Sequence, residues 1–150
     1  MPGYRVHVGF GLFCVGAAIG SVVWLEWWHP SVEQMLLAGF IGLLGALFPD
    51  VDTDSKGQNL FYGILLVGDI YFIFVKNFKL AALIGLLAIL PGLGRHRGWT
   101  HTWWAMLLVP FPLILLPYLI YGKVSLEFLI YYGFAVLGYL SHLVLDKKIF

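Results

Sequence analysis

The run FLIYYGFAVLGYLSHLVL, from Phe128 to Leu145, contains no charged side chain. A transmembrane helix needs about 20 apolar residues, with about 17 as the lower limit, so this run is long enough to cross a bilayer. Of the 150 residues of the chain, 61% are hydrophobic and only 11% are charged, and the mean hydropathy is +0.89. Soluble domains carry about 25% charged residues. The composition therefore excludes an ordinary soluble domain.

Five more apolar runs precede this one, with short polar breaks between them. The six runs are Val8 to Leu25, Met35 to Phe48, Leu60 to Val75, Leu80 to Leu93, Thr102 to Gly122 and Phe128 to Leu145. They predict a single domain, residues 1–150, of the all-α class: a polytopic membrane bundle of about six transmembrane helices. The second, third and fourth runs are short, so each needs flanking residues or a locally thinned bilayer to complete the span.

Glycine, tryptophan and proline are distributed as expected for membrane helices. Glycines inside the runs let neighbouring helices approach closely. They include Gly9, Gly11, Gly16, Gly20, Gly39, Gly42, Gly45 and Gly133. Tryptophans at run ends anchor helices at the membrane interfaces. They form two clusters, Trp24, Trp27 and Trp28, and Trp99, Trp103 and Trp104. The prolines of the fifth run predict a kinked helix. They are Pro110, Pro112 and Pro117.

The charge balance and the cysteine content exclude several kinds of partner and site. Nine Lys and Arg against eight Asp and Glu give a formal net charge of +1, which provides no basic surface for a nucleic acid. The only cysteine, Cys14, cannot form an intramolecular disulfide, and a thiolate zinc site needs several thiols. Any metal ion must therefore be held by histidines and carboxylates.

Lysines and arginines predict the orientation of a six-helix bundle. Six of them fall on the side shared by both termini: Arg5, Lys56, Arg95, Arg97, Lys147 and Lys148. Three fall on the other side: Lys76, Lys79 and Lys123. Because cytoplasmic loops carry the excess of positive charge, we expect a multi-pass protein of the inner (plasma) membrane with both termini in the cytoplasm.

Histidines and aspartates gather at one face of the predicted bundle, although they come from four separate stretches of sequence. These residues are His7, Asp50, Asp52, Asp54, His96, His101, His142 and Asp146. Ionisable residues at membrane depth or at its edge are costly, and their concentration indicates a functional site. The sequence therefore predicts a site at one membrane face.

The spacing within each stretch suits metal binding. His142 and Asp146 are four residues apart on a helix, so their side chains point the same way. The aspartates after the second run alternate, so their carboxylates project to one side of an extended loop. Between His96 and His101, which precede the fifth run, we expect a turn, with Thr100 as the N-cap of the helix that follows. Mixed imidazole and carboxylate ligands are compatible with zinc, manganese or iron.

A calcium loop is excluded in the aspartate stretch. Such a loop needs Gly at its sixth position and Glu at its twelfth, where this sequence has Ser55 and Phe61.

Four stretches together resemble the successive motifs of a known family. They are His7, FPDVDTDS (residues 48–55), HRGWTHT (residues 96–102) and SHLVLD (residues 141–146). In this order they look like the motifs of the LexA-regulated, inner-membrane metal-dependent hydrolases, a family distantly similar to zinc-dependent phospholipases C. The resemblance implies hydrolysis of a phosphoester by bound metal. The implied metal ligands are His7, Asp50, Asp52, His96, His101, His142 and Asp146.

From this resemblance we expect two or three divalent ions, zinc or alternatively manganese, that lower the pKa of a bridging water so that hydroxide attacks phosphorus. Arg97 suits a phosphate oxygen because its guanidinium forms bidentate hydrogen bonds. Asp54 is the candidate acid for the nucleophile or the leaving group. A site at the cytoplasmic membrane face would meet lipid head groups, so the expected substrate is a phospholipid or a polyprenyl phosphate. A homo-oligomer is compatible with the sequence.

Two other functions stay open at this point. A metal-binding or metal-transporting membrane protein would also use intramembrane His and Asp, but transporter sites lie near the midplane, where this sequence has only Asp69. A non-catalytic scaffold with a structural metal would fill all coordination positions with protein ligands. A zinc intramembrane protease is excluded because the sequence contains no HExxH motif.

Overall fold

The computed structural model describes residues 3–51, 56–89 and 99–146, and every regular element in these ranges is helical. The helices are α1 (Tyr4–Trp24), α2 (Val32–Leu47), α3 (Lys56–Phe74), α4 (Phe78–Ile89), α5 (Trp103–Leu108), α6 (Pro112–Tyr121) and α7 (Leu126–Leu145). Two 3-10 turns, Phe48–Asp50 and Trp99–His101, follow α2 and precede α5. The all-α prediction is confirmed for the described residues.

Four helical segments are long and apolar enough to cross a membrane. They are Arg5–Trp24, Val32–Asp50, Lys56–Phe74 and Leu126–Leu145. The fourth predicted span corresponds to α4, which has only 12 residues within the described part of the chain. The fifth span is divided into α5 and α6. Within the described residues, four of the six predicted spans therefore have the expected length.

Prolines break the fifth helix rather than only kinking it. Pro110 lies between the helices and has no N–H to donate to a helical ladder. Pro112 begins α6, where the missing N–H costs nothing. Pro117 lies inside α6 without ending it. At the far end of α6, Gly122 adopts a left-handed backbone conformation with φ of 68°, which stops the helix.

Helix α2 lies beside α7, and both run in the same direction. At their starts, Ser31 and Gln34 form a capping box on α2, and the Gln34 amide also donates to the Glu127 carboxylate on α7. At their ends, Ala46 on α2 contacts His142 on α7. Helix α1 packs antiparallel on α2, since Val15 lies against Gly42 and Gly11 lies against Ala46. These three helices form the centre of the bundle, and α3 packs mainly on α4.

Glycines bring the backbones of α2 and α7 into direct contact. A methyl group on Gly138 would overlap the carbonyl of Gly42, and one on Gly45 would overlap the carbonyl of Ala135. The predicted role in close packing is therefore confirmed for Gly45, and it is confirmed for Gly42 as well, where an added Cβ would lie 2.6 Å from the side chain of Val15 on α1. It is also confirmed for Gly11, where a Cβ would lie 2.6 Å from Ala46. The other named glycines have no atom within 4 Å of an added Cβ: Gly9, Gly16, Gly20, Gly39 and Gly133.

The first tryptophan cluster divides between the surface and the core. Trp24 and Trp27 are 83% and 73% exposed, as expected for interfacial anchors. Trp28 differs from the prediction, since it is only 8% exposed and packs edge-on against Tyr131 of α7, at a centroid distance of 6.5 Å. Its ring belongs to the core at the end where α2 and α7 begin.

Replacing Gly138 by Ala tests the backbone contact. The added methyl must push α7 away from α2, and we expect a loss of about 1–3 kcal/mol in the free energy of unfolding, as for other overpacked cores. Gly133→Ala is the matched control on the same helix, and it should be neutral or stabilising by up to about 1 kcal/mol through helix propensity. Thermal unfolding in detergent micelles measures the stability of both variants. Equal melting temperatures for the two variants would contradict the contact.

Candidate metal centre

Five of the predicted site residues meet at one end of the bundle. His7 lies in the first turn of α1, Asp50 ends the turn after α2, and His101 ends the turn before α5. His142 lies in the last turn of α7, and Asp146 is the C-cap of that helix. The other four candidates, which are Asp52, Asp54, His96 and Arg97, lie outside the described residues.

Local sequence explains the turn that carries His101. Thr102 is the N-cap of α5: its hydroxyl accepts from the Ala105 N–H at 3.4 Å and donates to the Trp99 carbonyl at 2.6 Å. The prediction that Thr100 caps this helix was wrong, since Thr100 lies inside the 3-10 turn and is fully buried. The helix therefore begins after the histidine, and the histidine stays in a non-α turn that faces the other candidates.

Four donor atoms converge on one point. Those of His101, His142, Asp50 and Asp146 all lie within 4.8 Å of one another. His101 Nε2 is 3.7 Å from Asp50 Oδ1 and 3.5 Å from Asp146 Oδ2. His142 Nε2 is 3.5 Å from Asp50 Oδ1 and 3.6 Å from Asp146 Oδ2. Each imidazole thus faces both carboxylates at nearly equal distances.

The backbone of α2 fixes the tautomer of His142. Its Nδ1 lies 2.7 Å from the carbonyl oxygen of Ala46, and a carbonyl oxygen can only accept a hydrogen bond. Nδ1 therefore carries a proton, and Nε2 of the neutral ring is an acceptor. This buried Nε2 has no hydrogen-bond partner among the described residues and faces two carboxylate oxygens, which are acceptors too. Such an arrangement is stabilised by a metal ion or by a proton placed between these acceptors.

The distances between the imidazole nitrogens and the carboxylate oxygens fit a bound ion better than a shared proton. N–H···O hydrogen bonds are about 2.7–3.2 Å long, and the pairs at His142 Nε2 are 3.5 and 3.6 Å. In a tetrahedral site with ligands about 2.0–2.1 Å from zinc, neighbouring donors lie about 3.4 Å apart. Bound histidines also commonly donate their other N–H to a backbone carbonyl, as His142 does to Ala46. The donor set therefore fits a divalent ion.

Asp146 links His7 to the four-donor cluster. Its Oδ2 faces His101 and His142, while its Oδ1 lies 3.4 Å from His7 Nε2. The His7 ring also stacks on the His142 ring, with centroids 3.9 Å apart and planes inclined by 15°. The structure thus brings His7 beside His142 and Asp146, and His7 faces the second oxygen of a carboxylate that two other histidines share.

Burial makes the cluster dependent on charge compensation. All three histidines are buried, and the Asp146 side chain is 2% exposed. Ionised carboxylates taken out of water must be paired or bind metal. Asp50 differs, since its side chain is 26% exposed. The cluster is therefore closed on the α7 side and open to the surroundings at Asp50.

Sequence reasoning missed two groups that hold the cluster in place. The fully buried Tyr139 lies one helical turn before His142, and its hydroxyl donates to the carbonyl of Thr100, beside His101. It thereby joins α7 to the turn that carries His101. A tyrosine in an apolar run looks like an ordinary core residue. The Ala46 carbonyl is the second group, and a backbone acceptor leaves no signal in a sequence.

Apolar spanning helices with a His–Asp cluster at one end define an integral membrane protein with a candidate metal centre. The chain belongs to the YdjM inner membrane protein family, whose family model matches residues 1–147. This is the LexA-regulated family that the sequence motifs resemble. No curated protein and no solved structure matches the chain. Family and composition together make it an inner-membrane protein.

His142→Ala should reduce both the bound metal and the stability. Ligand binding stabilises the folded state by about 2.7 kcal/mol at a ligand concentration 100 times the Kd, so chelation should lower the melting temperature of the native protein far more than that of the variant. Asp146→Asn should act in the same direction but more weakly, because an amide oxygen still coordinates without charge. Elemental analysis and melting curves with and without chelator measure these effects.

His29→Ala is the matched control for this experiment. His29 is exposed and adjoins Trp28 in the core at the opposite end, so its replacement should change neither metal content nor the response to chelator. If zinc stoichiometry is unchanged in both site variants, the cluster is an uncoordinated hydrogen-bonding group rather than a metal centre.

Proposed function

We propose that the protein is a membrane-embedded metal-dependent hydrolase that cleaves a phosphoester of a lipid. The observation that carries the proposal is the convergence of two imidazoles and two carboxylates, with His142 Nε2 directed at both carboxylates. Imidazole and carboxylate donors suit zinc, and manganese is the alternative. A divalent ion supplies Lewis acidity and lowers the pKa of water, which phosphoester hydrolysis at neutral pH requires.

In this proposal, each candidate residue has a separate role in metal binding, phosphate binding or proton transfer. Asp50, His101, His142 and Asp146 hold the first ion, and His7, Asp52 and His96 are the ligand candidates for one or two more. Arg97 orients the phosphate through its bidentate guanidinium, and Asp54 moves a proton to or from the reacting oxygens. The exposed side of Asp50 supports this assignment, because it leaves a direction from which a substrate can approach.

A lipid substrate follows from the depth of the cluster. Helix α7 has 20 residues and is about 30 Å long, which matches the hydrocarbon thickness of a bilayer. Asp146 caps its end, so if α7 spans the bilayer the cluster would lie level with lipid head groups. We further propose that all six apolar runs cross the membrane and that both termini, and hence this cluster, face the cytoplasm.

A structural metal or a transport function would require a different arrangement. A structural ion needs donors on all sides, whereas one of these donors is a quarter exposed. A transported ion needs a site near the midplane. Asp69 lies in the interior of α3 and is absent from the described donor group.

Asp50→Asn tests the hydrolase proposal. The variant keeps the shape of the side chain but loses its charge, so we expect metal affinity and hydrolysis of phosphatidic acid and bis(p-nitrophenyl) phosphate to fall together, by about tenfold or more. Asp69→Asn is the control, since it removes one aspartate charge away from the cluster. A purified, zinc-loaded or manganese-loaded protein that hydrolyses neither compound would contradict the proposal.

Arg97→Lys tests the phosphate-binding role. Lysine keeps the positive charge and therefore the membrane orientation, but an ammonium group cannot reproduce the bidentate geometry. We expect kcat/KM to fall by about tenfold or more, a loss of about 1.4 kcal/mol in transition-state binding, with metal content unchanged. Arg95→Lys, two residues away, should retain full activity. Native activity in the Arg97 variant would leave this residue with a purely topological role.

A further inference from the structure

An apolar cavity of about 140 Å³ lies inside the bundle, next to the metal centre. Its walls come from α2, α3, α7 and the region where α5 gives way to α6. The lining side chains include Leu44, Phe48, Leu65, Pro110, Leu116 and Tyr139. None of these residues is charged, and Tyr139 already uses its hydroxyl as a donor to the Thr100 carbonyl. The cavity therefore offers a ligand only hydrocarbon contacts.

Two aromatic rings line the end of the cavity that is nearest the cluster. Phe48 and Tyr139 pack with centroids 5.9 Å apart, and both line the cavity. Asp50 follows Phe48 by two residues, and His142 follows Tyr139 by one turn. Among the cavity-lining residues of α2, Ile41 is the farthest along the chain from the cluster, nine residues before Asp50. At 1.5 Å per residue, the cavity extends from about 3 to about 13 Å below the cluster, toward the middle of the bundle.

We propose that this cavity holds a segment of the hydrocarbon chain of the lipid whose phosphoester lies at the metal centre. The inference rests on the proposed function and adds to it the part of the substrate that is recognised away from the phosphate. A lipid places its chain directly below its phosphate, and the cavity has the same position relative to the cluster. The bound chain would hold the phosphate at the exposed side of Asp50.

The size and the chemistry of the cavity specify a single flexible chain. In another protein, a cavity of about 150 Å³ with Leu, Ile and Phe walls stays dry and binds benzene, so this one accommodates about six carbon atoms. Water is a poor occupant because it needs two to four polar partners. Because the surrounding solvent is lipid, acyl or prenyl chains are present at high concentration beside the protein. The break at Pro110 contributes to the wall where a continuous helix would otherwise pass.

Photolabelling tests the occupancy of the cavity without relying on activity. The probes are phosphatidic acid with a diazirine in one acyl chain and farnesyl phosphate with a diazirine in its chain, each mixed with the purified full-length protein in micelles. Mapping of labelled peptides should find residues 41–48, 109–116 and 135–139. Comparing the two probes distinguishes an acyl chain from a prenyl chain as the preferred occupant.

Leu116→Trp fills the cavity, and Leu119→Trp is its matched control. Leu116 lines the cavity from α6, whereas Leu119 on the same helix is largely exposed on the outer surface. In the Leu116 variant, labelling of the three segments should fall by about tenfold, the loss expected when two or more methylene groups are no longer buried. In the control, labelling should equal that of the native protein. Melting temperature and metal content should be native in both.

The outcomes separate the cavity from the hydrolase activity. Labelling that is confined to outer helix faces, or that is equal in the two tryptophan variants, overturns the chain-binding cavity even if the protein hydrolyses phosphoesters. Reduced labelling in the Leu116 variant supports the cavity, whatever the activity. If hydrolysis of long-chain phosphatidic acid then falls while that of bis(p-nitrophenyl) phosphate stays native, the bound chain belongs to the substrate. If long-chain hydrolysis is unchanged, the chain is not part of the substrate and that part of the inference is overturned.

Discussion

Because Gly45 and Gly138 lack side chains, α2 and α7 meet backbone to backbone, and the Ala46 carbonyl comes within 2.7 Å of His142 Nδ1. The hydrogen bond fixes the plane and the tautomer of that imidazole, and it directs Nε2 toward the carboxylates. Asp50, just after the end of α2, is held opposite by the same contact. A wider separation of the two helices would break this hydrogen bond and would also move Asp50 away from His142. The packing of α2 on α7 therefore determines the geometry of the donors.

The cluster and the apolar bundle also depend on each other energetically. Two carboxylates and three histidines at the edge of a membrane cannot be stabilised by hydrophobic burial, and their N–O separations are too long for strong hydrogen bonds. A bound cation would remove this cost, and folding would then be coupled to binding, as it is in metal proteins. A buried core that includes Leu47, Tyr139 and Leu143 lies on the same helices, and among the described donors only Asp50, at 26%, has a substantially exposed side chain.

Sequence reasoning predicted the class of fold and the end of the bundle at which the site lies, because both depend on strong, local signals. Apolar run length indicates membrane helices, and the four-residue spacing of His142 and Asp146 places them on one helix face. Contacts between residues that are distant in the sequence, and the exact ends of helices, gave no such signal. Thr102 rather than Thr100 caps α5, and Tyr139 and the Ala46 carbonyl orient the histidines. The break at Pro110 exceeded the predicted kink because two prolines flank one residue there.

The contact between His7 and Asp146 joins the first helix to the last, with the rest of the bundle made between them. During biosynthesis, α1 and α2 can pack against each other early, with Val15 against Gly42, but Gly45 has no partner until Ala135 of α7 has been made. The donor cluster is therefore completed last, when α7 packs against α1 and α2. Any ion that it binds is acquired after membrane insertion, from the compartment onto which that end of the bundle opens.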